Sequence, residues 1–346
     1  MSRFAVFAAA VVAALLLPSA ALAHVVRSAP VATDFEARID TGSIEGGRIE
    51  ARVVDGDRQL WLRVRKDLTV LVPGEEGEPL LRFDGRGVFV NLHSPTALSD
   101  GIDRSNLAPR IDTNTPAAWR RVSDAHSYRW HEHRLHALEP LAGGRSTPAV
   151  LGRWSMPVAI DGRRVVLAGD LVYRPAGPLW PWAVLAIALA AGIWLSLAVS
   201  RSPANRLTLC AAVTVTMLVW LMRVARDLYG RPTVEAGAYL HIGLTSAVGV
   251  LLVYGLLHRN SDVRVVTLLL VGLAGLWQSL TSFAVLTHST AFTVLPTPAV
   301  RAAVAAAFGL GAGLCAVVLR EMPVQAPRSA VRDGPVERGR VPRPSR

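Results

Sequence analysis

A β-rich domain followed by a bundle of membrane-spanning helices is the fold class this sequence predicts, on three observations. Residues 1–23 have the make-up of an export signal. Residues 24–177 hold short alternating apolar and polar segments separated by Gly, Pro and Asp, with acidic and basic side chains nearly balanced. From Pro178 onward long apolar stretches take over and the charges thin. The predicted division is 1–23 signal peptide, 24–177 extracellular or periplasmic β-rich domain, 178–320 membrane domain and 321–346 cytoplasmic tail.

The signal peptide is read from Arg3, the apolar run 4–17, the break at Pro18-Ser19 and the small residues of Ala21-Leu22-Ala23. That run falls short of the roughly 20 apolar residues a bilayer-spanning helix needs. Cleavage after Ala23 makes His24 the mature amino terminus, where one residue offers both an α-amine and an imidazole to a borderline metal.

Within 24–177, segments 47–54 and 58–64 alternate apolar with polar around the turn signal Asp55-Gly56-Asp57. Segments 68–72, 80–83 and 88–91 are further short strands, and 154–160 with 165–173 make a hairpin about Asp161-Gly162. No stretch of this domain has helical periodicity, and 95–118 reads as a long surface loop. Closely spaced strands of this kind predict a small β-sandwich, Ig-like in class. The domain has no cysteine, so a buried core rather than disulfides must hold it.

Five stretches are long enough to cross a bilayer: 179–200, 207–222, 236–257, 265–286 and 300–319. Trp180 and Trp182 open the first as an interfacial anchor. With the β-domain outside, Arg201, Arg206, Arg259, Arg264 and the arginines of the tail fall inside. Arg223, Arg226, Arg231 and Arg301 fall outside, an asymmetry that favours this orientation. The net charge of +11 thus belongs to membrane loops and a Pro- and Arg-rich tail, which is expected to be disordered. The implied partner is the lipid bilayer and not nucleic acid. Cys210 and Cys315 fall at similar depth near the cytoplasmic side, as packing residues or as a soft-metal pair.

Four of the nine histidines crowd into 124–136, as Asp124-Ala125-His126-Ser127-Tyr128-Arg129-Trp130-His131-Glu132-His133-Arg134-Leu135-His136. Imidazole is the commonest protein metal ligand. On an extended backbone His131 and His133 share one face while His126, Tyr128, Trp130 and Glu132 share the other. His131 and His133 are therefore a two-nitrogen pair with His136 close by, and Asp124 with His126 is an oxygen–nitrogen pair that His24 could complete. Glu132 would orient a ligating ring from behind. The competing reading is a hydrogen-bonded plug between the β-domain and the membrane. His241, His288 and Met222 reach the external ends of their spans, as a second metal or proton site or as tolerated interfacial residues.

Two resemblances follow from these residues. His24-Val25-Val26-Arg27-Ser28-Ala29-Pro30, with Val122-Ser123-Asp124-Ala125-His126, resembles CopC-type copper-binding proteins, although Ser127 stands where a proline commonly follows. That resemblance implies Cu(II) on a β-sandwich with His24, Asp124 and His126 as ligands, and a multi-span CopD-type membrane part. The run from Tyr128 to His136, with Met156-Pro157-Val158-Ala159-Ile160-Asp161-Gly162 and Leu171-Val172-Tyr173-Arg174-Pro175, is similar to a group of actinobacterial exported membrane proteins. These carry a Trp-His-Asp-His-Arg motif, in which Glu132 here replaces the Asp.

No Gly-x-Ser-x-Gly, His-Glu-x-x-His or phosphate-binding glycine loop is present, so no reaction class is indicated. The expected function is copper or zinc binding outside the cell, for handling, delivery or sensing at the membrane, through His24, Asp124, His126, His131, His133 and His136. The rival class is a non-catalytic membrane scaffold whose β-domain binds another exported protein.

Overall fold

The structure is a computed structural model that describes residues 31–40, 46–102, 115–136, 146–200, 205–229 and 236–321. The signal peptide, His24, Arg201, Arg231 and the tail beyond Glu321 lie outside the described residues.

Eleven of the strands build the amino-terminal region: β1 Ala32–Thr33, β2 Phe35–Ala37, β3 Ile49–Val54, β4 Gln59–Val64, β5 Val70–Pro73, β6 Pro79–Asp84, β7 Gly87–Asn91, β8 Trp119–Ser123, β9 Ser127–His131, β10 Ala149–Ile160 and β11 Arg163–Tyr173. A seven-stranded sheet runs β2-β11-β10-β5-β6-β7-β8, and a three-stranded one runs β3-β4-β9. The two share one core, because alternation turns Leu60, Leu62 and Val64 of β4 toward Val70, Val72, Phe83 and Met156 of the larger sheet. Each such fully buried side chain contributes roughly 1.5–3 kcal/mol. Trp61 faces the other way and is covered by the Arg52 guanidinium, 5.5 Å from its ring.

Strands are observed within or next to each expected segment, as Ile49–Val54, Gln59–Val64, Val70–Pro73, Pro79–Asp84 and Gly87–Asn91. The β10–β11 hairpin is longer than the pattern suggested, because Ala149–Arg153 pair on along β11 across a register shift between Val150 and Gly152. The loop reading of 95–118 is corrected. Pro95–Ser99 is a short helix, α1, with Thr96 and Ala97 buried. Ser94 caps it, its Oγ accepting from Ala97 N at 3.1 Å. Residues 115–118 lead into β8, and 103–114 lie outside the described residues.

The helical region comprises α2 Trp180–Val199, α3 Arg206–Asp227, α4 Ala236–Leu257, α5 Ser261–Thr281, α6 Ala284–Thr287 and α7 Thr297–Glu321. Four helices, α3, α4, α5 and α7, are long and apolar enough to cross a membrane, and α2 contributes a shorter apolar stretch, Trp180–Ser196. Helix α7 is the most buried and packs against α2, α3 and α5. Of the four long helices, α4 is the most exposed. Asn205 and Asn260 cap α3 and α5 through their side-chain oxygens. The 265–286 stretch is displaced: its helix begins at Ser261 and ends at Thr281, and α6 follows as a separate turn. Polar side chains tie the helices, with Trp220 Nε1 donating to Ser246 Oγ at 2.8 Å and Ser279 Oγ donating to the Val304 carbonyl at 3.0 Å. Cys315 is buried against Gly272 and Cys210 is exposed.

The β-rich and helical regions meet through backbone and charge. Strand β1 pairs antiparallel with β12, Thr290–Ala291, in the loop between α6 and α7. The β3–β4 turn lies against the same loop. Asp55, at φ 57°, accepts from Arg226 of α3 at 3.2 Å, and Arg226 also donates to the Phe292 carbonyl at 3.0 Å. Gly56 is required here: its φ is +74°, and a Cβ would lie 2.3 Å from Thr33 Cγ2 and 3.3 Å from the Phe292 ring.

Candidate metal centre

Three histidine rings meet where β9 gives way to a 3-10 turn, His133–Leu135. The strand ends at His131 and Glu132 remains extended, so the expected juxtaposition of His131 and His133 is retained although His133 has left the strand. Ring centroids are 4.7 Å apart for His131–His133, 4.7 Å for His131–His136 and 5.5 Å for His133–His136. The three rings thus pack as one cluster, His131 edge against face with the other two, beside the carboxylates that follow.

Two carboxylates complete the corner, and neither was apparent in the sequence. Asp100 caps the carboxyl end of α1 and Glu75 sits in the β5–β6 turn. His133 Nδ1 lies 2.5 Å from Asp100 Oδ1 and 3.3 Å from Glu75 Oε1. The donor atoms of Glu75, Asp100 and His133 all fall within 4.8 Å of one another. His133 Nδ1 and both Asp100 oxygens are buried without the angles that a hydrogen bond needs. Crowded donor atoms with no proton properly between them are what a cation would relieve. The convergent set is thus one imidazole and two carboxylates, with His131 and His136 packed against it as further nitrogen donors.

The supports of this corner are built from the residues around it. Glu78, buried beneath α1, accepts from Ser94 Oγ at 2.6 Å and from Thr96 N at 3.2 Å. That fixes α1, and with it Asp100, onto the β5–β6 turn. Gly74 leaves the room, since a Cβ there would stand 2.1 Å from Glu78 Oε1. Glu75 N donates to Thr96 Oγ1 at 2.8 Å. Arg134 ties the 3-10 turn to the end of β5, donating to the Pro73 carbonyl at 3.1 Å. His136 Nε2 is buried without a partner.

The electrostatics suit a metal. Burial, reinforced by the neighbouring His136, His133 and Arg58, lowers the His131 pKa to about 4, so the ring is a neutral ligand at physiological pH. His136 is lowered by burial and then by His133. Asp100 is pushed up to about 7 by burial, against the opposing His133 imidazole. A cation in the corner would reverse that penalty.

Other expectations fare differently. Glu132 does not orient a histidine. It is buried beside the core, where it accepts from Trp130 Nε1 at 3.0 Å and from Arg134 Nε at 2.6 Å. Burial works against its charge, but Arg134 and then Trp130 outweigh this and hold its pKa below the usual range. The two ends of β9 are separated, because Ser127 pairs with Arg63 while His131 pairs with Gln59. His126 is thus about 16 Å from His131 at the strand rise of roughly 3.3 Å per residue. It borders a shallow cleft of 620 Å³ with Arg48, Glu50, Trp61, Arg63 and Lys66. Asp124 is largely exposed and pairs with Arg121 at 3.0 Å. His24 lies outside the described residues.

In the helical region, Met222 is packed in the apolar core at the end facing the β-region. His241 Nδ1 contacts Asp227 Oδ2, and His288 Nδ1 faces the Ala284 carbonyl at 2.9 Å. Each has its own neighbour, and among the described residues the only group with metal-ligand convergence is Glu75, Asp100 and His133.

No protein-family model, curated protein or solved structure matches this chain.

Proposed function

We propose that this is an exported multi-pass membrane protein whose β-rich domain binds a divalent transition metal, copper or zinc, for handling, delivery or sensing at the membrane. The domain is a small sandwich of the Ig-like class on the external side. Five spans follow, α2 being the first, with the carboxyl terminus in the cytoplasm. The observation that carries this reading is the convergence of the ligand atoms of Glu75, Asp100 and His133 within 4.8 Å of one another, with the rings of His131 and His136 packed against His133. A mixed set of imidazole nitrogen and carboxylate oxygen suits Zn(II) and Cu(II) better than Cu(I).

The CopC-like set of His24, Asp124 and His126 is a separate candidate, spaced along the chain from this corner. Calorimetric titration of the purified full-length protein with Zn(II) and Cu(II) tests both. One stoichiometric site, lost in His133→Ala with His136→Ala and kept in His126→Ala, assigns the metal to the corner. The reverse pattern assigns it to the amino-terminal set. Absence of binding in the unmutated protein sinks the metal reading and leaves the scaffold function, in which the β-domain holds another exported protein.

A further inference from the structure

One five-residue segment, Asp55 to Gln59, touches both the candidate metal centre and the helical bundle. At its first residue, Asp55 accepts from Arg226 of α3. At its second, Gly56 is packed against Thr33 and the Phe292 ring, and its carbonyl accepts from Ala37 N at 3.0 Å. At its fourth, the Arg58 carbonyl accepts from Glu132 N at 3.0 Å. At its fifth, Gln59 pairs in register with His131. Asp55 and Arg58 are three residues apart, so their Cα atoms are separated by no more than about 11 Å.

We propose that metal occupancy of the histidine corner is coupled, through this segment, to the seating of the β-region on the helices. The inference rests on the metal reading above and supplies its regulation. A metal fixes His133, and with it the backbone of His131 and Glu132. Glu132 N donates to the Arg58 carbonyl and His131 pairs with Gln59, so occupancy selects one position for the Arg58–Gln59 backbone. That position is linked within three residues to Asp55, whose left-handed backbone and buried carboxylate leave the turn little freedom of its own.

On the other side, Arg226 sits in the same turns of α3 as Arg223 and Asp227. Arg223 Nε donates to Gln278 of α5 at 3.0 Å, and Asp227 contacts His241 of α4. A shift of Arg226 is therefore felt by three helices. Coupling of this kind is reciprocal: if the metal tightens the docking, loosening the docking must weaken the metal by the same factor.

The test uses the full-length protein in lipid nanodiscs, titrated with Zn(II) and with Cu(II). Asp55→Asn and Arg226→Gln are each expected to weaken binding by about fivefold or more. Asp161→Asn, at the β10–β11 turn beyond the opposite end of β3 and β4, should stay within about twofold of the unmutated protein. Hydrogen exchange on the unmutated protein gives a second readout that no folding defect can blur: metal should slow exchange at 31–37, 55–59 and 289–294. If the unmutated protein binds metal while both variants match its affinity, or if exchange at those segments ignores saturating metal, the coupling is refuted and the metal centre stands. If the unmutated protein binds neither metal, both proposals fall together.

Discussion

The histidine corner and the end of the helical bundle that faces the β-region are both crowded with ionisable groups, yet they treat them differently. In the bundle each has a partner. Arg226 bonds Asp55 and the Phe292 carbonyl, Arg223 bonds Gln278, Arg301 Nε donates to the Val285 carbonyl at 3.0 Å, and His241 contacts Asp227. In the corner, His133 Nδ1 is pressed between Asp100 and Glu75 without hydrogen-bond geometry, and His136 Nε2 is buried without a partner. A charge near a bilayer that is fully partnered is holding structure together. A buried donor set that converges on itself asks for something to bind. The difference also explains why three of the four arginines placed externally by the sequence do not argue against that orientation: Arg223, Arg226 and Arg301 are occupied with fixing helices and docking the β-region.

The sharpest way to break this comparison is to cut the same kind of residue in both places. Asp100→Ala with His133→Ala should weaken Zn(II) or Cu(II) binding at least about a hundredfold, taking the upper end of what loss of a mere supporting residue costs as the floor for losing ligands. Asp227→Asn with His241→Ala, which cuts a contact on the helix side of the coupling and no ligand, should weaken that binding by no more than about fivefold. Equal losses from both pairs in calorimetric titration would erase the distinction drawn here.

The partnered side should instead show its value in stability. Arg226→Ala removes a partly buried, charge-assisted pair and a carbonyl bond, and is expected to cost about 2 kcal/mol or more, seen as a lower thermal unfolding midpoint in detergent. An unchanged midpoint would mean that the junction is held by β1–β12 pairing and apolar packing alone.

Acidity separates the two regions further. Asp100, raised to about 7, is protonated in the folded protein across a range where the free residue is not. Its contribution to stability is complete below about pH 4 and is lost as pH rises toward 7. His131, lowered to about 4, contributes in the opposite sense: its stability is present above about 6.5 and lost as pH falls toward 4. These slopes oppose one another in the metal-free protein, and His136, lowered as well, adds to the His131 side, so unfolding midpoints should rise gently with pH between about 4.5 and 6.5. Metal affinity should rise more steeply. Loading must expel the Asp100 proton below about pH 7, so affinity should climb by up to about tenfold per pH unit and flatten above it. A flat affinity from about pH 5.5 to 7 in a titration series would show that Asp100 is not a ligand.

The smallest effect is expected at His126. His126→Gln should change metal affinity by less than about twofold, because a whole strand separates it from the corner. A loss comparable to that of His133→Ala would restore the amino-terminal set.

How much of this could be read from the chain follows from the range of each interaction. The alternation in β3 and β4, and the apolar runs of the helices, are local patterns, and they predicted elements close to those observed. The juxtaposition of His131 and His133 was legible for the same reason, since a two-residue offset keeps neighbours together even where the strand ends. Helix α1 is only five residues long and shows no periodicity, although Ser94-Pro95 carried a capping residue followed by proline at the first helical position. Asp100 and Glu75 were illegible because the folds of α1 and of the β5–β6 turn, not sequence proximity, bring them to His133. Glu132 was misread because its partners are its immediate neighbours Trp130 and Arg134, which alternation on an ideal strand does not distinguish from ring-orienting geometry.

The β1–β12 ladder sets an order of events. Ala32 pairs with Ala291, so the first described strand finds its partner only after roughly 260 further residues have been made. At about 5–20 residues per second that is a wait of roughly 13–50 s. During it the seven- and three-stranded sheets can close on their own core, while Thr33, Gly56 and Asp55 face a docking place that does not yet exist. The last hairpin of the membrane region therefore acts as a clasp: a chain halted before Phe292 carries a folded β-region that has nothing to fasten to. Ribosome-arrested chains of increasing length should become resistant to protease at 31–34 only once the segment through Arg301 has emerged, while 35–37, held by β11, should be protected earlier.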